Sequence, residues 1–143
     1  MATQVTVTFP GGKKVDALVD GKVVHTDQPL RAGGEDSAPA PFDLFAASLG
    51  ACAGYFVLAF CQARALSTEG ISLRQRITFD DAHILREVDL EIEVPSGFPE
   101  KYRGALARAA EGCTVKRAIE AQPHFAVRTV IGGEPRPAAG QAA

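Results

Sequence analysis

The chain has 143 residues, 46% of them hydrophobic and 22% charged, with a net charge of -2. That balance suits one soluble globular domain with its own core. It excludes the basic surface that binds nucleic acid or an anionic membrane, and three scattered cysteines exclude a dense disulfide framework.

No apolar stretch follows a basic one at the N-terminus, so the expectation is a cytoplasmic protein with reduced thiols. "VTVTF" (Val5 to Phe9) alternates as a strand does. "KVDALVDGKVVHTD" follows, with Asp20-Gly21 between two apolar-rich runs. That pair predicts a tight hairpin turn, since both turn positions need a positive φ. The first quarter is therefore three strands. "QPLRAGGEDSAPAPF" (Gln28 to Phe42) is rich in Gly and Pro and reads as a loop. Pro41 and Asp43 suit a helix start, and the helix is expected to run to about Ala65, or about 37 Å.

Within it, "LFAASLGACAGYFVLAFCQA" (Leu44 to Ala63) carries no charge. Its length permits a membrane span, but it is rich in Ala, Gly, Ser and Cys and lacks basic flanks. The preferred reading is a helix buried nearly all round, with no membrane partner. Gly50 and Gly54 share a face, which permits either helix-to-sheet packing or the close meeting of two such helices in a dimer.

"GISLRQRITFDD" and "HILREVDLEIEVP" predict a hairpin with one wet face, and the alternation slips once near Leu85 to Val88. "SGFPEKYRGALARAAEGC" reads as a second helix, followed after Gly112 by the shorter helical piece "CTVKRAIEAQ". "HFAVRTVI" is expected to be a last strand. The order βββ-α-ββ-α-β makes an α+β domain over residues 1–131, with a disordered tail at 132–143.

Cys52 and Cys61 are nine residues apart on one helix, on opposite faces and about 13 Å apart along its axis, too far for a disulfide. Cys61 reads as a small buried hydrophobe. Cys113 stands at a helix start near Lys116 and Arg117, where a thiol loses its proton more easily. It is the one intramolecular partner open to Cys52, although spacing alone also fits two inert buried cysteines. No C-x-x-C is present and His25, His83 and His124 are scattered, so neither a metal nor a cofactor is expected.

"APFDLFAASLGACAG" and "AEGCTVKRAI" together resemble the two cysteine segments of the OsmC/Ohr family of thiol-dependent peroxidases, over about Val5 to Ile131. "GGEDSAPAPFDL" looks like the YhfA-like branch of that family. The resemblance implies an intertwined homodimer with two central helices, sheets built from both chains and two interfacial active sites. It implies that Cys52 is the peroxidatic thiolate for an organic hydroperoxide or another apolar small molecule. Cys113 would then be the resolving thiol, and the disulfide would be reduced by an external dithiol. Phe42, Phe45, Tyr55 and Phe56 would belong to the pocket. The organic-hydroperoxide branch has a Glu where this chain has Phe42. Its activating Arg has no single counterpart here, since Lys13, Lys14 and Arg31 all stand in the matching region. Arg31, Glu35 and Asp43 are the candidates for supporting Cys52. The alternatives are a non-catalytic small-molecule-binding or redox-sensing dimer, and a structural dimer with no ligand.

Overall fold

The computed structural model describes residues 3–132; of the expected tail, 133–143 lies outside the described residues. Three antiparallel strands open the fold: β1 (Val5–Gly11), β2 (Lys14–Val19) and β3 (Lys22–Thr26), in the order β1-β2-β3. The turn from β2 to β3 is the expected one, with Asp20 at φ 48 and Gly21 at φ 77. The ladder between β1 and β2 shifts register between Thr8 and Gly11. Pro10 lies in that interval, where a residue with no N–H does least harm.

A loop with a short 3-10 turn at Leu30–Ala32 leads to α1 (Pro41–Gln62). Pro41 begins the helix, and the Asp43 carboxylate accepts a hydrogen bond from the Ala40 backbone N–H at 3.1 Å. The helix stops three residues short of the expected end. Leu66 N–H bonds back to the Cys61 carbonyl at 2.9 Å and Ala65 N–H to that of Gln62 at 3.2 Å. Ala65 takes φ 51 between them, so the chain turns away in a Schellman arrangement.

Strands β4 (Ser72–Phe79) and β5 (Leu85–Glu93) form an antiparallel hairpin. Thr78 faces Glu87 while Phe79 faces Leu85, so Arg86 is the extra residue of a bulge. This is the slip visible in the sequence alternation. Asp80 binds it in place, accepting from the Arg86 guanidinium at 2.6 Å. Two helices follow, α2 (Glu100–Ala110) and α3 (Thr114–Glu120).

The core lies between α1, α2 and the hairpin. Ala53, Val57, Phe60 and Cys61 of α1 meet Leu106 and Ala110 of α2 and Cys113. Leu73, Leu90 and Ile92 of β4 and β5 close it. Helix α1 is long and apolar enough to cross a membrane by length and composition, yet its buried stripe packs against α2, α3 and β4.

Two expectations fail within the single chain. The first is a central helix buried all round. Only one stripe of α1 is covered, and Tyr55 and Leu58 on its other side stand 63% and 40% exposed. The glycine pair divides accordingly: a Cβ on Gly50 would sit 3.6 Å from Gln75 of β4, whereas Gly54 faces open space. The second is the last strand. Residues 124–131 join no ladder, and Phe125 and Val127 are 84% and 97% exposed. A strand exists through its inter-strand hydrogen bonds, and among the described residues no strand pairs with that segment. Strands β1 to β3 likewise leave both faces open, with Val5, Val7, Phe9, Leu18 and Val23 all exposed.

Candidate functional site

Cys52 lies half-buried at the middle of α1, and Cys113 is buried as the residue that caps α3. Two contacts bring the start of α3 onto the turn of α1 that carries Cys52. The Cys113 thiol lies 3.8 Å from the Leu49 carbonyl, one turn before Cys52. Gly112 lies against the ring of Phe56, one turn after it. A Cβ on Gly112 would meet that ring at 3.4 Å and the Ala109 carbonyl oxygen at 3.1 Å, so glycine is what permits the approach.

The Cys113 thiol thus lies on the turn of α1 that leads into Cys52. The Cys52 thiol is held below the ordinary cysteine range. The Val115 backbone N–H is the largest cause; the Cys113 thiol and the Thr114 backbone N–H and hydroxyl add to it, and burial opposes them. Every group that lowers it is a dipole rather than a charge. Cys113 in turn accepts from the Lys116 backbone N–H at 3.4 Å. The Lys116 ammonium is turned away toward Glu120, 3.8 Å off. The contact that α3 makes with Cys113 is thus the Lys116 backbone N–H rather than its ammonium. Cys61 is wholly buried in the core, and burial pushes its thiol up, as befits an inert cysteine.

The supporting residues read from the sequence go elsewhere. Glu35 pairs with Lys14. Asp43 is spent on the start of its own helix. Arg31 is exposed on the 3-10 turn. None of the three is among the groups that act on Cys52 in this chain.

The expected pocket also divides. A cavity of about 870 Å³ lies between the inner face of β5 and α2, with Leu90, Ile92, Leu106, Ala110 and Cys113 among its walls. A second of about 600 Å³ is lined by Phe45, Val115, Ile119 and Phe125. Phe42, Tyr55 and Phe56 line neither. Phe42 stacks on Phe45 and Phe79 at 5.3 and 5.4 Å, Tyr55 faces outward against Phe56, and Phe56 packs on Gly112. Sequence reasoning did not single out Leu49, whose backbone carbonyl meets Cys113, because a backbone group carries no signal in residue type. Among the described residues no three His, Cys, Asp or Glu side chains stand together as metal ligands.

Among solved structures, the chain is similar to a protein of Psychrobacter arcticus 273-4 provisionally described as an osmotic stress induced and detoxification response protein. The identity is 21%, over 82% of this chain and 88% of that one, with a TM-score of 0.68. An organic hydroperoxide resistance protein OsmC from Legionella pneumophila is 22% identical over 83% and 89%, with a TM-score of 0.54. An organic hydroperoxide resistance protein from Elizabethkingia anophelis is 19% identical over 82% and 87%, with a TM-score of 0.56. These likenesses establish the shared α+β fold. No curated protein matches the sequence. Residues 34–128 match the sequence model for the OsmC-like protein family, a span that holds α1, the β4–β5 hairpin, α2, α3 and both site cysteines. The chain belongs to the OsmC-like protein family.

Proposed function

We propose that the protein is a thiol-dependent reductase of hydroperoxides, with Cys52 as the attacking thiol and Cys113 as the resolving one. The observation that carries this reading is the seating of the Cys113 thiol 3.8 Å from the Leu49 carbonyl, on the turn of α1 that leads into Cys52, with the Cys52 thiol eased toward thiolate by the amides of α3. The Cys52 thiolate attacks the distal oxygen of the peroxide, the O–O bond breaks, and an alcohol leaves after taking up a proton. Cys52 is then a sulfenic acid. The neighbouring Cys113 thiol displaces water from it and closes a disulfide, which an external dithiol returns to two thiols. The cavity beside Cys113 has apolar walls at Leu90, Ile92 and Leu106, which favour an organic hydroperoxide over a small polar one. Proteins of this fold described as organic hydroperoxide resistance proteins support the same reading.

The working unit in this proposal is a homodimer. The uncovered side of α1, the open faces of β1 to β3 and the unpaired segment 124–131 are apolar surfaces that a second copy would cover. A second reading is a dimer that binds an apolar molecule or senses oxidants slowly. It is favoured by the aromatic cluster around Phe42 and because, among the described residues, the groups that ease the Cys52 thiol are dipoles rather than charges.

The test is intact-mass spectrometry of reduced protein after one equivalent of cumene hydroperoxide, with peptide mapping and a Cys52→Ser control. The expected result is loss of two hydrogens, mapped to Cys52–Cys113 within seconds and absent from the control. Unreacted thiols, or slow oxidation that includes Cys61, would leave the binding reading in its place.

A further inference from the structure

The inner face of the β4–β5 hairpin is apolar except at one place. Leu73, Gln75 and Ile77 are half-buried along β4, and they pair with Ile92, Leu90 and Val88 of β5. An amide in such a row costs stability unless it is bonded. Gln75 donates from Nε2 to the Ala46 carbonyl of α1 at 3.0 Å. Its Oε1 lies beside Gly50, 3.6 Å from where a Cβ would stand. With glycine at that position, no side chain covers the oxygen from the helix side. Gln75 also lines the cavity of about 870 Å³, together with Leu49, Leu90, Ile92, Leu106 and Cys113. The charged side chains around that cavity are all exposed and stand at its mouth. Their cations are already paired, Arg86 with Asp80, Arg103 with Glu100 and Lys116 with Glu120. Glu87 and Glu111 add negative charge to the same rim. Among the described residues, the Gln75 amide is therefore the one uncharged polar side chain lining the cavity, and the mouth holds no cation without a carboxylate.

The geometry points to Gln75 as the residue that selects what this cavity takes: an uncharged, largely apolar molecule with one O–H group, which donates to Gln75 Oε1. A neutral organic hydroperoxide has such a group, and so does the alcohol left by its reduction. A carboxylate has no proton to donate and meets only paired cations at the mouth. The proposal rests on this cavity being the substrate site, as in the reading above, and deepens that reading. Apolar walls supply affinity, and a few fixed polar groups supply orientation and choice. An apolar residue in place of Gln75 would leave the ligand hydroxyl buried and unpaired, which costs more than the hydrogen bond itself is worth.

The experiment is an NMR titration of the reduced full-length protein, with the methyl signals of Leu90 and Leu106 reporting on the cavity. The probes share one shape: isopropylbenzene, 2-phenyl-2-propanol and 2-phenylpropanoate. Wild type, Gln75→Leu and Gln75→Met are compared; methionine keeps the length of the side chain and decides the matter if the leucine variant does not fold. Wild type is expected to bind the alcohol more tightly than the carboxylate, with shifts at both leucines. In the variants, affinity for the alcohol relative to the hydrocarbon is expected to fall about tenfold, the cost of a buried hydroxyl left unpaired, while affinity for the hydrocarbon holds. An unchanged ratio would overturn the proposal. So would an equal loss of both ligands, which would mark Gln75 as a tether to α1 and no more. Tighter binding of the carboxylate, or no shift at either leucine, would overturn it as well. No thiol reacts in the measurement. The expected pattern in a protein that fails to reduce cumene hydroperoxide would sink the peroxidase reading and leave the role of Gln75 standing.

Discussion

Asp27 follows β3 with 1% of its surface exposed, and its carboxylate takes four hydrogen bonds. Backbone N–H groups of Gln28, Glu35 and Ser37 donate at 2.8, 3.2 and 3.1 Å, and the Ser37 hydroxyl at 2.6 Å. With the Ser37 hydroxyl as the largest cause, these bonds hold the carboxyl down at about 2. The folded value lies below the ordinary 3.8. Asp27 therefore contributes stability that is fully present above about pH 4 and is lost as pH falls toward about 2. Asp27→Asn is expected to lower the melting temperature at pH 7 and to flatten its fall between pH 4 and 2, which thermal unfolding in steps of pH would show. Nothing in the sequence around Asp27 signals this, because its partners return to it from across the loop. That Cys52 and Cys61 cannot pair was legible from helix spacing. The seating of Cys113 against the Leu49 carbonyl was not, because a backbone group carries no signal in residue type.

Strand and helix identities were mostly legible, and the reasons are local. Asp20-Gly21 can supply two positive φ angles, and the slip near Leu85 marked the Arg86 bulge because a bulge interrupts period two. The end of α1 was misjudged by three residues because alanine gives no stop signal. Ala65 nonetheless occupies the left-handed position that glycine usually fills, at φ 51. Relieving it by Ala65→Gly is expected to stabilise the protein by about 1 kcal/mol, since a Cβ in that conformation costs about that much. The urea midpoint should rise, with the slope unchanged. The final strand, in contrast, was read from composition alone. Phe125, Val127, Val130 and Ile131 have strand-like chemistry, but ladder formation is not a property of one segment.

At the scale of the molecule, what the sequence could not reveal is how little of this apolar material one copy covers. Alternation in β1 predicts a buried face, yet Val5 and Val7 remain about half exposed and Phe9 is 81% exposed. Helix α1 buries one stripe, and the sheet of β1 to β3 stands apart from the helices. The interior that β1 and the outer side of α1 were patterned for is therefore not built by one copy alone. Sedimentation at micromolar protein is expected to report a dimer, and a stable monomer would contradict the assembly proposed here.

If the proposed dimer is the working unit, the uncovered sheet also sets the kinetics by which it is made, because the first three strands of each chain find cover only when two chains meet. Its last step is then a collision, and refolding should follow second-order kinetics, with a late phase that quickens as concentration rises. Its resistance to denaturant should depend on dose, with each tenfold dilution lowering the apparent stability by about 1.4 kcal/mol of dimer. For such a protein, abundance is itself a stabiliser, and the two reacting sulfurs would be most durable when the cell makes most of it.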